Sequence, residues 1–168
     1  MVKVDDIKRI TLFRDMADDM LELLAAEAQL SIYNTGSKLC RINEQVENLY
    51  MLIMGQVSLK INLMPDVDLI VDTVQNGSCF GLSSLVTGET ASYTAICQEP
   101  CEVITLPGIR MIQLFDEHPE MGCQVMLRLA LHYKTLMDSR AQMIMRTLDR
   151  HPELKGKISD LETLTPAF

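Results

Sequence analysis

Apolar positions along this chain change period twice, dividing it into a helical start, a short-stranded middle and a helical end. Between Leu12 and Leu30 the residues Met16, Met20, Leu23, Leu24 and Ala28 recur near a helical period, with acids toward the start, which predicts an amphipathic helix. From Ser31 the runs become short and alternating, predicting strands at 38–42, 49–54, 56–63, 69–74, 94–97 and 102–106. Gly55 sits between two apolar runs as in a tight turn, and Met64-Pro65-Asp66 reads as a hairpin tip. After Pro107-Gly108 a helical period returns, briefly through Phe115 and then in a long helix from about 119 to 148.

That long helix carries two apolar tracks. One runs through Val125, Leu129, His132, Leu136, Ser139 and Met143; beside it lie Met126, Ala130, Tyr133, Met137, Arg140 and Ile144. One track suits packing on the β unit and the other a second copy, so a homodimer seam is assigned to Val125, Leu129, His132, Leu136 and Met143. The fold class is mainly β with flanking helices, an antiparallel sandwich or barrel. One domain is expected over residues 1–148 and a short tail over 149–168.

Composition narrows the function. With 168 residues and 48% hydrophobic content a packed core is affordable, while a net charge of −8 argues against general nucleic-acid binding. No apolar run is long enough for a membrane span and the start lacks a signal-peptide pattern, so a cytoplasmic protein is expected. The cysteines Cys40, Cys79, Cys97, Cys101 and Cys123 are scattered among apolar residues and read as reduced core positions, with no metal site. Asp116-Glu117-His118 reads as the acidic start of the long helix, and no catalytic motif is present, so an enzyme is not expected.

The most informative segment is 79–95, Cys-Phe-Gly-Leu-Ser-Ser-Leu-Val-Thr-Gly-Glu-Thr-Ala-Ser-Tyr-Thr-Ala. Together with Gly36, Asn43-Glu44, Leu49-Tyr50, Gly55 and Asn76-Gly77 in this order, it resembles the cyclic nucleotide-binding domain family, in particular the sensor half of Crp/Fnr transcription regulators. The resemblance implies an antiparallel jelly roll (double-stranded β-helix) followed by a long dimerisation helix. It also implies a loop whose backbone N–H groups face a cyclic phosphate, a glutamate after the glycine to hold the ribose, and an arginine near the loop's end.

This chain departs from that pattern where the charges belong. Leu82 follows Gly81, Ala91 falls at the arginine's place, and no Lys, Arg or His occurs from Ile61 to Ile109. A charge-assisted hydrogen bond contributes about 1.5–3 kcal/mol, so ordinary cyclic AMP binding is not expected. Phe80, Gly81, Leu82, Ser83, Ser84, Ala91, Ser92 and Tyr93 are the candidate ligand-binding residues, suited to a neutral or aromatic effector, with Arg128, Lys134 or Arg140 as a replacement cation. No cofactor is assigned; a haem held by His132, a cysteine or a methionine is an alternative, as is a protein-interaction module with a protein partner. About twenty residues follow the long helix, too few for the helix-turn-helix that the resemblance would place there, so direct DNA binding is not expected.

Overall fold

The computed structural model describes residues 2–64, 67–86 and 88–150. Pro65 and Asp66 of the expected hairpin tip, Thr87 of the loop and the tail from 151 to 168 lie outside the described residues. The chain divides into two compact units, Met1–Met126 and Leu127–Phe168. Among the described residues no helix is long and apolar enough to cross a membrane.

The elements run α1 (Val4–Lys8), α2 (Asp18–Glu27), β1 (Gln29–Tyr33), β2 (Lys38–Cys40), β3 (Asn48–Met54), β4 (Val57–Met64), β5 (Val67–Val74) and β6 (Cys79–Phe80). A 3-10 helix (Leu82–Leu85), β7 (Thr94–Cys97), β8 (Cys101–Pro107), α3 (Gly108–Glu117) and α4 (Pro119–Arg150) complete the order. The strands pair as two four-stranded sheets, β1-β8-β3-β6 and β2-β7-β4-β5, the jelly-roll form of the expected architecture without closure into a single barrel. At Gly55 the chain crosses from the first sheet to the second, since β3 and β4 belong to different sheets.

The expected single helix over 12–30 is shorter. Ala17 is extended ahead of Asp18 and Asp19, whose acids suit a helix start, and Ala28 is extended again where the chain enters β1. Leu30 therefore pairs with Ile104 on a strand instead of ending a helix.

The sheets enclose one core. Leu52, Cys101 and Val103 from the first meet Val57, Leu59, Ala95 and Cys97 from the second. Full burial of such side chains stabilises by about 1.5–3 kcal/mol each. On the first sheet's other face Leu49, Met51, Ile104 and Leu106 are fully buried. There α2 packs on β8 and α3 through an apolar face that includes Leu21, Leu24 and Met111. An ion-pair fork joins α2 to α3: Arg110 donates from Nε to Glu27 Oε2 at 2.9 Å and from Nη2 to Oε1 at 2.6 Å.

Of the five cysteines, Cys40, Cys97 and Cys101 are buried, and all five are free thiols. Burial pushes the Cys79 and Cys97 thiols up to about 12, where thiolate chemistry at neutral pH is suppressed. The expectation of a uniformly buried set fails at Cys123, which is exposed. Cys123 stands two positions from Val125 on α4, and on a helix that offset turns a side chain away from the covered face.

Candidate functional site

The loop that carries the sequence signal begins with a forced glycine. Gly81 lies at φ 78°, in the left-handed region, and a Cβ there would stand 2.7 Å from the Asn48 carbonyl oxygen and 2.8 Å from Cδ2 of Tyr50. Gly81 thereby turns the chain from β6 into the 3-10 helix, close against β3. Phe80, just before it, stacks on Tyr50 with ring centroids 5.0 Å apart and planes 11° from parallel. The Tyr50 hydroxyl donates to the Leu39 carbonyl at 2.7 Å, and burial pushes its ionisation upward.

The two ends of the loop meet through a side chain. The Gly81 N–H donates to the Tyr93 hydroxyl at 3.1 Å, while Tyr93, half-buried, packs on the cluster that includes Phe80, Ala91 and Tyr50. Ala91 is 2% exposed. Its N–H donates to the Glu44 carbonyl at 2.9 Å and its carbonyl accepts from the Asn43 N–H at 2.8 Å, with a neighbouring bridge between Gln45 and Thr90. The loop's return is thus stitched to the segment before β3, and Ala91 places a methyl group inside the core.

The other candidates divide. Leu82 is half-buried and Ser92 exposed. Ser83 and Ser84 line a separate cleft of about 520 Å³ formed with residues 45–48 and the start of α3. Beside it α3 and the 3-10 helix approach closely, because a Cβ at Gly108 would lie 2.2 Å from the Ser84 carbonyl oxygen. A second cleft of about 360 Å³ follows the first sheet past Ser31, Tyr33, Asn48, Tyr50 and Thr105. Of the three replacement cations, Lys134 pairs with Asp138 at 2.6 Å, Arg128 is half-buried and Arg140 exposed, all in the second unit.

Along α4 the expected seam residues are placed unequally. Val125 and Leu129 are buried, Leu136 is half-buried, and His132 and Met143 are exposed. The neighbouring track shows Met126, Tyr133, Met137 and Ile144 exposed, between 45% and 65%. His132 makes an edge contact with Tyr133 at 5.9 Å.

Sequence reasoning missed Tyr50, Glu47, Gly108, Ile109 and Ile112 as parts of these sites. Tyr50 carried a signal through the resemblance and Gly108 as a turn residue after Pro107; the others carried none.

With this geometry in place, the sequence model of the cyclic nucleotide-binding domain matches residues 31–118, more than half of the chain. The chain belongs to the cyclic nucleotide-binding domain family. Within this family it is 26% identical over 121 residues to the Global nitrogen regulator of Synechococcus elongatus, covering 71% of this chain and 52% of that protein. It is 30% identical over 81 residues to the Global nitrogen regulator of a Synechocystis species, covering 47% and 36%. The chain thus spans about half or less of the length of these curated relatives. A structure described as a cyclic nucleotide-binding protein from Geobacter metallireducens superposes with a TM-score of 0.69 at 24% identity, over 78% of this chain and 95% of that one. The Thermus thermophilus Catabolite Activator Protein gives 0.66 at 20%, over 82% and 63%. The structural likenesses show the jelly-roll fold; at such identities they carry no ligand across.

Proposed function

We propose that this chain is a non-catalytic regulatory domain of Crp/Fnr type that works as a homodimer through α4 and does not take cyclic AMP in the usual way. The observation that carries the reading is the Gly81–Tyr93 hydrogen bond: the amide at the head of the 3-10 helix already has its acceptor inside the chain. A cyclic phosphate would have to displace the Tyr93 hydroxyl and then find no cation among residues 61–109. Each missing charge-assisted contact costs about tenfold to hundredfold in affinity. An effector of this domain is a neutral, hydroxyl-bonding small molecule, for which the tyrosines and Thr105 along the first sheet offer partners.

Thermal unfolding with cyclic AMP and cyclic GMP tests this. A ligand at a hundred times its Kd stabilises the folded state by about 2.7 kcal/mol, so a real site would show as a saturable rise in Tm. No rise is expected for the parent chain. A saturable rise with either nucleotide overturns the reading of the loop.

The dimer has its own test. Val125 and Leu129 are buried within the single chain, so charges placed there would probe the fold, whereas Met137, Met143 and Ile144 are exposed apolar side chains on α4. The double variant His132→Glu with Met143→Glu, both exposed and on the assigned track, is expected to give the mass of one chain by light scattering, with the parent at twice that. Equal masses for the two refute the seam.

A further inference from the structure

One face of the first sheet changes character along its length. On β1 the residues Gln29, Ser31 and Tyr33 pair with Thr105, Val103 and Cys101 of β8, and paired residues share a face. Cys101 and Val103 are fully buried core. Yet the same face lines the cleft of about 360 Å³ with Gln29, Ser31, Tyr33, Asn48, Tyr50 and Thr105. β1 turns Ser31 and Tyr33, both half-buried, toward this cleft and sends Leu30 and Ile32 outward into water. That exchange of polar for apolar lowers stability, and a chain keeps such a broken local rule where function requires it.

Two of the polar groups serve the fold: the Tyr50 hydroxyl donates to the Leu39 carbonyl and the Thr105 hydroxyl to the Gln29 carbonyl at 3.3 Å. Among the described residues, the Ser31 and Tyr33 hydroxyls and the Gln29 side-chain amide have no hydrogen-bond partner within the chain. Glu27, the charged side chain of the lining, is taken up by the Arg110 fork, so the cleft presents no unpaired charge.

We infer that this cleft is a binding site for a neutral polyhydroxy ring, a monosaccharide, hydrogen-bonded by Gln29, Ser31 and Tyr33. The inference rests on the reading of the effector as neutral and hydroxyl-bonding, and it sets that effector apart from the loop, since no described residue from 81 to 93 lines the cleft. A charged ligand finds no counter-charge here. An apolar one would strip water from hydroxyls and an amide without replacing it, a loss of about fivefold to a hundredfold in affinity for each group left unpaired. Small-molecule sites run from about 300 to 1,000 Å³, so this volume suits a single ring better than a nucleotide. Such sites are commonly apolar with a few polar groups; the reverse proportion matches a ligand whose own surface is mostly hydroxyl.

The test titrates the full chain, labelled with nitrogen-15, with D-glucose, D-galactose, D-mannose, D-ribose and L-arabinose, and in parallel with cyclohexanol, glucuronate and cyclic AMP. At least one sugar is expected to bind saturably at roughly millimolar Kd or tighter, with amide shifts gathered in residues 29–33, 48–50 and 103–107. Cyclohexanol and glucuronate are expected to bind at least about tenfold more weakly than that sugar. Ser31→Ala with Gln29→Ala should weaken the sugar about tenfold through two lost hydrogen bonds. If that double variant does not fold, Ser31→Ala alone should weaken it several-fold. Silence of all the sugars, shifts centred in residues 81–93, equal binding of cyclohexanol, or unchanged affinity in a folded variant overturns the inference. Saturable binding of cyclic AMP overturns the reading of the loop instead, so the two failures are read from different probes.

Discussion

Replacing Ala91 by arginine is expected to destabilise the free protein by about 3 kcal/mol, the loss typical of a buried charge left without its partner. Ala91 is 2% exposed and lies among Val46, Tyr50, Phe80 and Tyr93, with both backbone groups already bonded to Asn43 and Glu44. A guanidinium entering there loses its water unless the loop opens. At about 2–4 °C per kcal/mol for a chain of this size, Tm should fall by about 10 °C. The same variant should regain part of the loss in sulfate or cyclic AMP, because an anion then supplies the missing partner; the parent should show no specific gain from the nucleotide. If Ala91→Arg melts at the parent's temperature, the return of the loop is open to water and its description as a closed seam is wrong.

Gly108→Ala sets two effects of opposite sign against each other. Gly108 opens α3, and alanine is favoured over glycine in helices by up to about 1 kcal/mol. Against that, the new Cβ would stand 2.2 Å from the Ser84 carbonyl oxygen and 2.7 Å from its carbon, atoms of backbone that cannot rotate away. Overpacking of this kind costs about 1–3 kcal/mol and occasionally more. The clash wins because the obstacle is main chain, so a net loss of about 2 kcal/mol is expected by urea unfolding. Stability equal to or above the parent's would mean that the 3-10 helix moves aside at little cost.

Most of the fold could be read from the hydrophobic pattern, and the failures have physical causes. β7 at Thr94–Cys97 was legible to the residue because Ala95 and Cys97 point into the core while Thr94 and Ile96 are only half-buried. β1 was not. On that strand Leu30 and Ile32 are exposed along with Gln29, Ile32 at 76%, while Ser31 and Tyr33 are half-buried along the inner cleft, so the usual polarity is inverted. A rule that expects apolar residues inside finds no strand there. β6 and the 3-10 helix, two and four residues long, are too short to show any period.

At the site, what could be read was composition: the absence of Lys, Arg and His from Ile61 to Ile109 needs no coordinates. The Tyr93 hydroxyl on the Gly81 amide could not be read, because it joins residues twelve apart across a loop with no repeating pattern. Nor could the parting of Ser83 and Ser84 from Tyr93. All lie in one stretch of sequence, and only the left-handed turn at Gly81 sends them to different faces.

The fork between Arg110 and Glu27 makes the solvent itself an input to this unit. It joins residues 83 apart in sequence, and both side chains remain partly open to water. Salt screens charges over about 8 Å at physiological strength and over less as salt rises, while the apolar seat of α3 is indifferent to that screening. Acid acts on the same joint: Arg110 holds the Glu27 carboxyl below its ordinary 4.5, so the fork's contribution is present above that value and fades as pH falls through the depressed range. Brine or acid therefore loosens the start of α3, where Arg110 stands two residues after Gly108, and leaves the helix held by its apolar seat alone.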